Sequence, residues 1–144
     1  MTPDPRMPTF NTMVDIRAIQ PAEVEDARLL LSQNGWQKRV GNPLEFDSLL
    51  ANSTIAIVAV SAGRVVGFLR ALCDGSSNGY ISMVVVAEDH RRLGIGARLV
   101  QTAMGSDERV TWVLRAAREG AKPFYEKLGF VVSTVAMERR GVRG

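Results

Sequence analysis

Residues 80–97 of this 144-residue chain read YISMVVVAEDHRRLGIGA, and this stretch decides the fold. Its first part, Tyr80–Val86, is an apolar, β-branched run with the length of a buried strand. A charged turn and a loop with two glycines follow, and from Gly94 to Met104 apolar residues recur at helical spacing. The pattern therefore predicts a strand, a basic glycine loop and a helix in direct succession.

The loop has the features of an anion-binding site. Gly94 and Gly96 expose backbone N–H groups without a competing side chain, and the start of the helix adds its unpaired N–H groups and the positive end of its dipole. Arg91 and Arg92 add positive charge at the rim. A phosphate or pyrophosphate is the expected ligand.

Two other classes of phosphate-binding loop do not fit these residues. A P-loop needs a glycine, four further residues and then Gly-Lys-Ser/Thr, which the chain lacks. A dinucleotide-binding fingerprint would need a third glycine where Leu99 stands. That fingerprint also normally follows the first strand of a βαβ unit, whereas this loop follows the fourth predicted strand.

Strands and helices are also predicted on both sides of this stretch, from hydrophobic periodicity and turn residues. Upstream, the pattern predicts a strand, two helices and a hairpin of two strands: Met13–Ala18, Pro21–Gly35, Asn42–Ser53, Ile55–Val60 and Val65–Ala71. Downstream, it predicts a strand, a helix and a final strand or hairpin arm: Thr111–Arg115, Ala121–Leu128 and Phe130–Arg139. Strands joined by turns should be antiparallel and a strand–helix–strand unit parallel, so we expect a mixed sheet with helices on its faces.

The size and composition of the chain favour one compact domain. With 144 residues, 46% of them hydrophobic, it can bury one core but hardly two. We expect a single domain over residues 13–140, a flexible N-terminal tail over 1–12 and a C-terminal tail over 141–144. No apolar run approaches the roughly 20 residues that span a bilayer, so no membrane partner is expected.

Charge and the rare residues exclude several kinds of function. The single cysteine, Cys73, excludes a multi-cysteine metal site, and the single histidine, His90, argues against a His-rich zinc site, so no metal is expected. A lone cysteine fits a cytoplasmic protein. The net charge of +3 is mild, and a polyanionic cofactor explains it as well as a nucleic acid does. Because the chain has no helix with clustered Lys and Arg, we expect no nucleic-acid partner.

Two separate motifs resemble those of the GNAT (Gcn5-related N-acetyltransferase) superfamily. Arg91-Arg92-Leu93-Gly94-Ile95-Gly96-Ala97 is similar to its coenzyme A-binding pattern Arg/Gln-x-x-Gly-x-Gly/Ala, and Val86 stands five residues before the arginine, as in the family. About 30 residues later, Phe124-Tyr125-Glu126-Lys127-Leu128-Gly129-Phe130 looks like the second hallmark of the family. The predicted element order extends the resemblance loosely over the whole chain.

The resemblance implies an α/β (α+β) fold with a mixed, mostly antiparallel sheet of six to seven strands flanked by about four helices. It also implies that acetyl-CoA binds as co-substrate in a cleft between the fourth and fifth strands. The backbone of the fourth strand would pair with the pantetheine arm, the glycine loop would hold the pyrophosphate, and a phenylalanine would line the cleft. The implied cofactor-binding residues are Val84, Val85, Val86, Arg91, Arg92, Leu93, Gly94, Ile95, Gly96, Ala97 and Phe124.

The implied activity is transfer of the acetyl group to an amine-bearing substrate by direct attack. Tyr125 matches the tyrosine that serves in the family as general acid on the leaving thiolate. An amine must also lose a proton, but Ser82 and Met83 stand where a related subgroup carries an acidic residue. Asp74, Glu23, Glu25 and His90 are the other candidates for the base, and the sequence does not choose among them.

Three questions stay open from the sequence. A non-catalytic acyl-CoA-binding regulatory module is the alternative function, because the acidic residue of the fourth strand is missing. Many relatives form homodimers, which makes a homodimer plausible for this chain without any residue that indicates it. The identity of the amine acceptor is not readable.

Overall fold

In a computed structural model of the chain, residues 13–142 are described. The predicted N-terminal tail therefore lies outside the described residues, as do the last two residues of the predicted C-terminal tail. The described chain divides into two compact units, with the division between Leu114 and Arg115. The expectation of one domain over residues 13–140 stays a prediction.

The first unit is built on a five-stranded sheet in which the strands lie side by side in chain order. The first three pairings are antiparallel and the last is parallel. This confirms the mixed, mostly antiparallel sheet. The strands are β1 (Val14–Ala18), β2 (Ile55–Ser61), β3 (Arg64–Cys73), β4 (Asn78–Val86) and β5 (Thr111–Leu114).

Helices begin and end at the residues that the sequence marks. Asn42 caps one helix by accepting a hydrogen bond from the backbone N–H of Glu45 at 2.9 Å, and Pro43 follows at the first helical position. Gly35 has a φ of 91° and breaks the helical run before it. The α-helices are α1 (Val24–Leu31), α2 (Gln37–Val40), α3 (Pro43–Ala51) and α4 (Ile95–Met104) in the first unit and α5 (Ala121–Glu126) in the second.

The helices of the first unit pack on both faces of its sheet. On one face, the buried ring of Phe68 in β3 lies 6.0 Å from that of Phe46 in α3, measured between centroids. On the opposite face, α4 packs across β2, β3 and β4. Because neighbouring residues of a strand point to opposite faces, Gly67 faces α4.

The expected number of strands was wrong. Within residues 13–142 the sheet has five strands, not six or seven. The predicted final strand, Phe130–Arg139, is irregular, and the apolar side chains of Val131 and Val135 are 86% and 88% exposed. β-branched residues favour an extended chain, but a strand also needs a neighbouring backbone, and none pairs with this segment in the part of the chain that the structure describes.

The described helices are also too short or too polar to cross a lipid bilayer. The longest regular α-helix among them, α4, has 10 residues.

Candidate functional site

The fourth strand is paired differently along its two halves. From Asn78 to Ile81 it lies between β3 and β5, and its register with β5 ends at Ile81 opposite Leu114. β4 continues to Val86 with β3 as its partner. Its edge over Ser82–Val86 is therefore left without a partner strand in the described structure.

A β-bulge marks the point where this change occurs. Arg70 of β3 pairs with Met83, and the next residue, Ala71, pairs with Ile81, so that Ser82 is an extra residue in β4. A bulge bends its strand and increases the local twist. The bulge thus lies where β4 leaves the side of β5.

The alternation of backbone groups decides which residues face the open edge. The N–H of Ala87 donates to the carbonyl of Val66 at 2.8 Å, so Ala87 faces β3. By alternation, the backbone groups of Val85 also face β3, and those of Val84 and Val86 point away from it. Val84 and Val86 can therefore offer backbone groups to a ligand, whereas the buried Val85 contributes packing between them.

A turn and a loop connect this open edge to α4. Glu88–His90 form a single 3₁₀ turn, and Gly94, in the left-handed conformation with a φ of 81°, precedes the first helical residue. No side chain of residues 13–142 caps the helix, and the first helical hydrogen bond runs from the N–H of Arg98 to the carbonyl of Gly94 at 3.1 Å. Six successive N–H groups, those of residues 92–97, have no hydrogen-bond partner within the described residues.

The two arginines of the loop have different positions. The N–H of Arg91 donates to the carbonyl of Glu88 at 3.4 Å, so it belongs to the turn and not to the run of unpartnered groups. Its guanidinium donates from Nε to the carbonyl of Val86 at 3.1 Å and from Nη2 to Oδ1 of Asn34 at 2.7 Å. Arg92 is exposed and adopts a φ of 65°, which is unusual for a residue with a side chain.

One glycine that positions this loop, Gly67, was not among the predicted site residues. A Cβ at Gly67 would lie 3.0 Å from Cδ1 of Leu99 and 3.3 Å from Cγ2 of Ile95, so only glycine allows α4 to approach the sheet this closely. Gly67 pairs with Val86, the last residue of β4. A lone glycine inside the apolar run of β3 was the available signal.

The three carboxylates considered as a general base are all used in local structure. Oxygens of Asp74 accept hydrogen bonds from the hydroxyl of Ser77 and from backbone N–H groups of its own turn, and these bonds hold the pKa of Asp74 well below its usual range. The guanidinium of Arg17 lowers the pKa of Glu23, and that of Arg28 lowers the pKa of Glu25. A lowered pKa makes each of them a weaker base.

The second predicted motif lies in the second unit. The ring of Tyr125 makes edge contacts with the rings of Phe124 and Phe130, at centroid distances of 4.9 and 5.5 Å. Burial raises the pKa of the Tyr125 hydroxyl, against a smaller opposing effect of Arg118. The phenol is therefore protonated at neutral pH, which is the form that a general acid requires.

With this geometry in place, comparison with known proteins identifies the family. A family model described as an acetyltransferase (GNAT) domain matches residues 52–132, more than half of the chain. The chain belongs to the GNAT acetyltransferase family. The matched range contains the open half of β4, the glycine loop, α4 and Tyr125, so both motifs of this GNAT domain lie inside it.

Individual relatives agree with the family assignment. The GNAT domain is 28% identical over 137 residues to a protein of Pseudomonas phage PaMx11 named 5-NmdU N-acetyltransferase, covering 92% of this chain and 95% of that protein. A GNAT family acetyltransferase of Streptococcus pneumoniae TIGR4, SP0256, superposes with a TM-score of 0.69 at 24% identity, over 89% of this chain and all of that chain. The aminoglycoside N-acetyltransferase AAC(6')-Iy, solved in complex with CoA, superposes with a TM-score of 0.67 at 20% identity, over 90% of this chain and 95% of that chain.

Proposed function

We propose that this GNAT domain transfers the acetyl group of acetyl-CoA to an amine acceptor by direct attack, with Tyr125 as general acid. One observation carries the proposal: the open edge of β4 leads directly into the six unpartnered N–H groups of residues 92–97. An extended amide chain that ends in a pyrophosphate fits this arrangement. Its amides can pair with the open edge, and its pyrophosphate can accept from the N–H groups. The name of the phage relative, an N-acetyltransferase, supports nitrogen as the acceptor atom.

Binding of the donor would use backbone groups along its whole length. The N–H groups of residues 92–97 bind the pyrophosphate, helped by the positive end of the α4 dipole and by the charge of Arg92. Val84 and Val86 bind the pantetheine amides as an added strand would. The carbonyl of Val86 already accepts from Arg91, so its N–H is the group available to polarise the thioester carbonyl.

The chemical step exchanges one bond for another. The amine nitrogen attacks the thioester carbon and forms a C–N bond, while the C–S bond breaks and its electron pair leaves on sulfur. The phenol of Tyr125 gives its proton to that sulfur and regains one from solvent. The excess proton on the acceptor nitrogen passes to water, because Asp74, Glu23 and Glu25 are each engaged elsewhere and His90 contacts Asp89 in the turn after β4.

The proposal is tested first by binding and then by turnover. We expect calorimetric titration to show salt-sensitive binding of acetyl-CoA and coenzyme A and no binding of NADH, which lacks the pantetheine arm. Addition of amines to the acetyl-CoA complex should then release the free thiol. Absence of acetyl-CoA binding would overturn the proposal, and binding without thiol release for any amine would favour the non-catalytic acyl-CoA-binding module.

Replacement of Tyr125 tests the general acid separately. Tyr125→Phe keeps the ring contacts with Phe124 and Phe130 but removes the proton donor. We expect kcat to fall about 100-fold, which is the lower end of the usual range for one acid–base group. The affinity for acetyl-CoA should change little. An unchanged kcat would remove Tyr125 from the mechanism, and a lost affinity would assign it to binding.

A further inference from the structure

Arg70 differs from the arginines that pair with carboxylates. Arg17, Arg28 and Arg64 each form an ion pair with an aspartate or glutamate. Arg70 is half-buried in β3 and forms no ion pair with any carboxylate of residues 13–142. Removing a charge from water without a counter-charge is costly, and a bound anion would supply the missing counter-charge.

Two hydroxyl groups hold this guanidinium in place. Its Nε donates to Oγ of Ser53 at 2.6 Å, and its Nη1 donates to Oγ of Ser82 at 2.9 Å. The hydroxyl of Ser53 donates in turn to the carbonyl of Leu49 at the end of α3, at 2.7 Å, which fixes its orientation. Nη2 has no partner among the described side chains and backbone groups, so one end of a fixed fork is available.

Arg70 lies next to the β-bulge of β4. Ser82 is the extra residue of β4, and Arg70 lies opposite it and Met83. Along β3, Arg70 shares a face with Phe68, which packs against Phe46, whereas α4 and its loop lie on the other face. The donor loop and Arg70 are therefore on opposite faces of the sheet, and the open edge of β4 lies between them.

The surroundings of the guanidinium include an aromatic and an apolar side chain on the same face of the sheet. Tyr80 pairs with Leu72, and both share the face of Arg70. The phenol of Tyr80 is close enough to act on the guanidinium electrostatically. Leu72 is 37% exposed, so the sheet is accessible at this end of the face. Burial lowers the pKa of Arg70, which remains a cation at neutral pH.

We propose that Arg70 binds an oxyanion, a phosphate or a carboxylate, carried by the amine acceptor, so that the acceptor of this GNAT domain is an anionic amine. This inference rests on the proposed acetyl transfer. Bound in this way, the acceptor enters from the face opposite the donor loop and presents its amine at the open edge of β4. The available Nη2 can donate a charge-assisted hydrogen bond to an oxygen of either anion.

The test compares three amines that differ in one end group: aminohexyl phosphate, aminohexanoate and aminohexanol. In the unaltered protein we expect kcat/KM for one of the anionic amines to exceed that of aminohexanol at least about tenfold, the effect of a charge-assisted hydrogen bond. Arg70→Gln should abolish the preference, and Arg70→Lys should retain part of it. Arg109→Gln removes the same charge from an exposed arginine outside the site and should retain all of it. Equal kcat/KM for all three amines, or a preference that survives in Arg70→Gln, would overturn the inference.

Two further measurements separate this inference from the proposed function and from a purely structural role. Calorimetric binding of aminohexyl phosphate to the CoA complex should weaken about tenfold in Arg70→Gln even if no amine is acetylated. Unchanged binding overturns the role of Arg70. The thermal midpoint of Arg70→Gln should not fall below that of Arg109→Gln, because the variant removes a desolvated charge; a clear fall would mean that Arg70 serves the fold.

Discussion

The two halves of β4 differ in how many neighbouring strands they have. Asn78–Ile81 has a partner strand on each edge, so its backbone groups form hydrogen bonds within the sheet. Ser82–Val86 has β3 on one edge and offers Val84 and Val86 on the other. The backbone groups that β4 can offer to a ligand therefore begin where the neighbouring strand β5 ends.

The largest effect, on stability, is expected in Asn78–Ile81, the closed half of β4, which is paired on both edges. A Cβ at Gly79 would lie 2.4 Å from Cε3 of Trp112, so Gly79→Ala must displace the indole and disturb the pairing of β4 with β5. We expect a loss of about 3 kcal/mol in the free energy of unfolding, at the upper end for overpacking. Urea denaturation measures it, with Thr111→Val, an exposed neighbour of Trp112, as the control. Equal stability of both variants would mean that this pairing does not hold the closed half together.

A smaller effect, on binding instead of stability, is expected just beyond the open half. Gly96→Glu places a carboxylate among the N–H groups that we assign to the pyrophosphate, and should weaken acetyl-CoA binding about 100-fold, or about 2.7 kcal/mol. The fold should not suffer, because a glutamate in the first turn of a helix interacts favourably with its dipole. Gln101→Glu adds the same charge further along α4 and should bind as before. Unchanged affinity in Gly96→Glu would place the pyrophosphate elsewhere.

The sequence predicts those features of the fold and of the candidate site that depend on neighbouring residues in the chain. The start and end of α4 and the cap at Asn42 follow from periodicity and from a few neighbouring residues, and the structure confirms them within about one residue. The glycine loop before α4 follows likewise from Gly94 and Gly96, and its anion-binding role stays a prediction. The bulge at Ser82 was not, because it is a relation between two strands that neither sequence contains alone.

The same reasoning explains the error at the C-terminal end and the omission of Arg70. Val131 and Val135 have strand propensity, but propensity says nothing about whether a neighbouring backbone is present. Arg70 stands as a single charge in an apolar run, which is a signal, but its hydroxyl partners come from an element 17 residues earlier and one 12 residues later. Only the folded chain brings these groups together.

Deletion of the bulge tests the comparison directly. Without Ser82, Ile81 and Met83 become neighbours opposite Ala71 and Arg70, so every β3–β4 pair can persist while the bend disappears. We expect a folded protein whose affinity for acetyl-CoA falls about tenfold, since β4 no longer leaves the side of β5. Ser82→Ala, which keeps the residue count and the bulge, should keep the affinity. Full affinity after the deletion would show that the bend is not what opens the edge.

The smallest effect concerns the contact that fastens the end of the open half. Nη1 of Arg64, at the start of β3, donates to Oδ2 of Asp89 at 2.8 Å, just after β4 ends. This contact, and the hydrogen bond from His90, lower the pKa of Asp89 from 3.8 to about 2. Because the pKa is lower in the folded state, the stabilisation is complete above the unfolded pKa and is lost as the pH falls through the folded one. The free energy of unfolding of the unaltered protein should therefore decline more steeply below about pH 4 than that of Asp89→Asn. Asp47→Asn, at an exposed position of α3, should retain the steep decline, and identical slopes in all three proteins would mean that the open half is held by its pairing with β3 and by α4 alone.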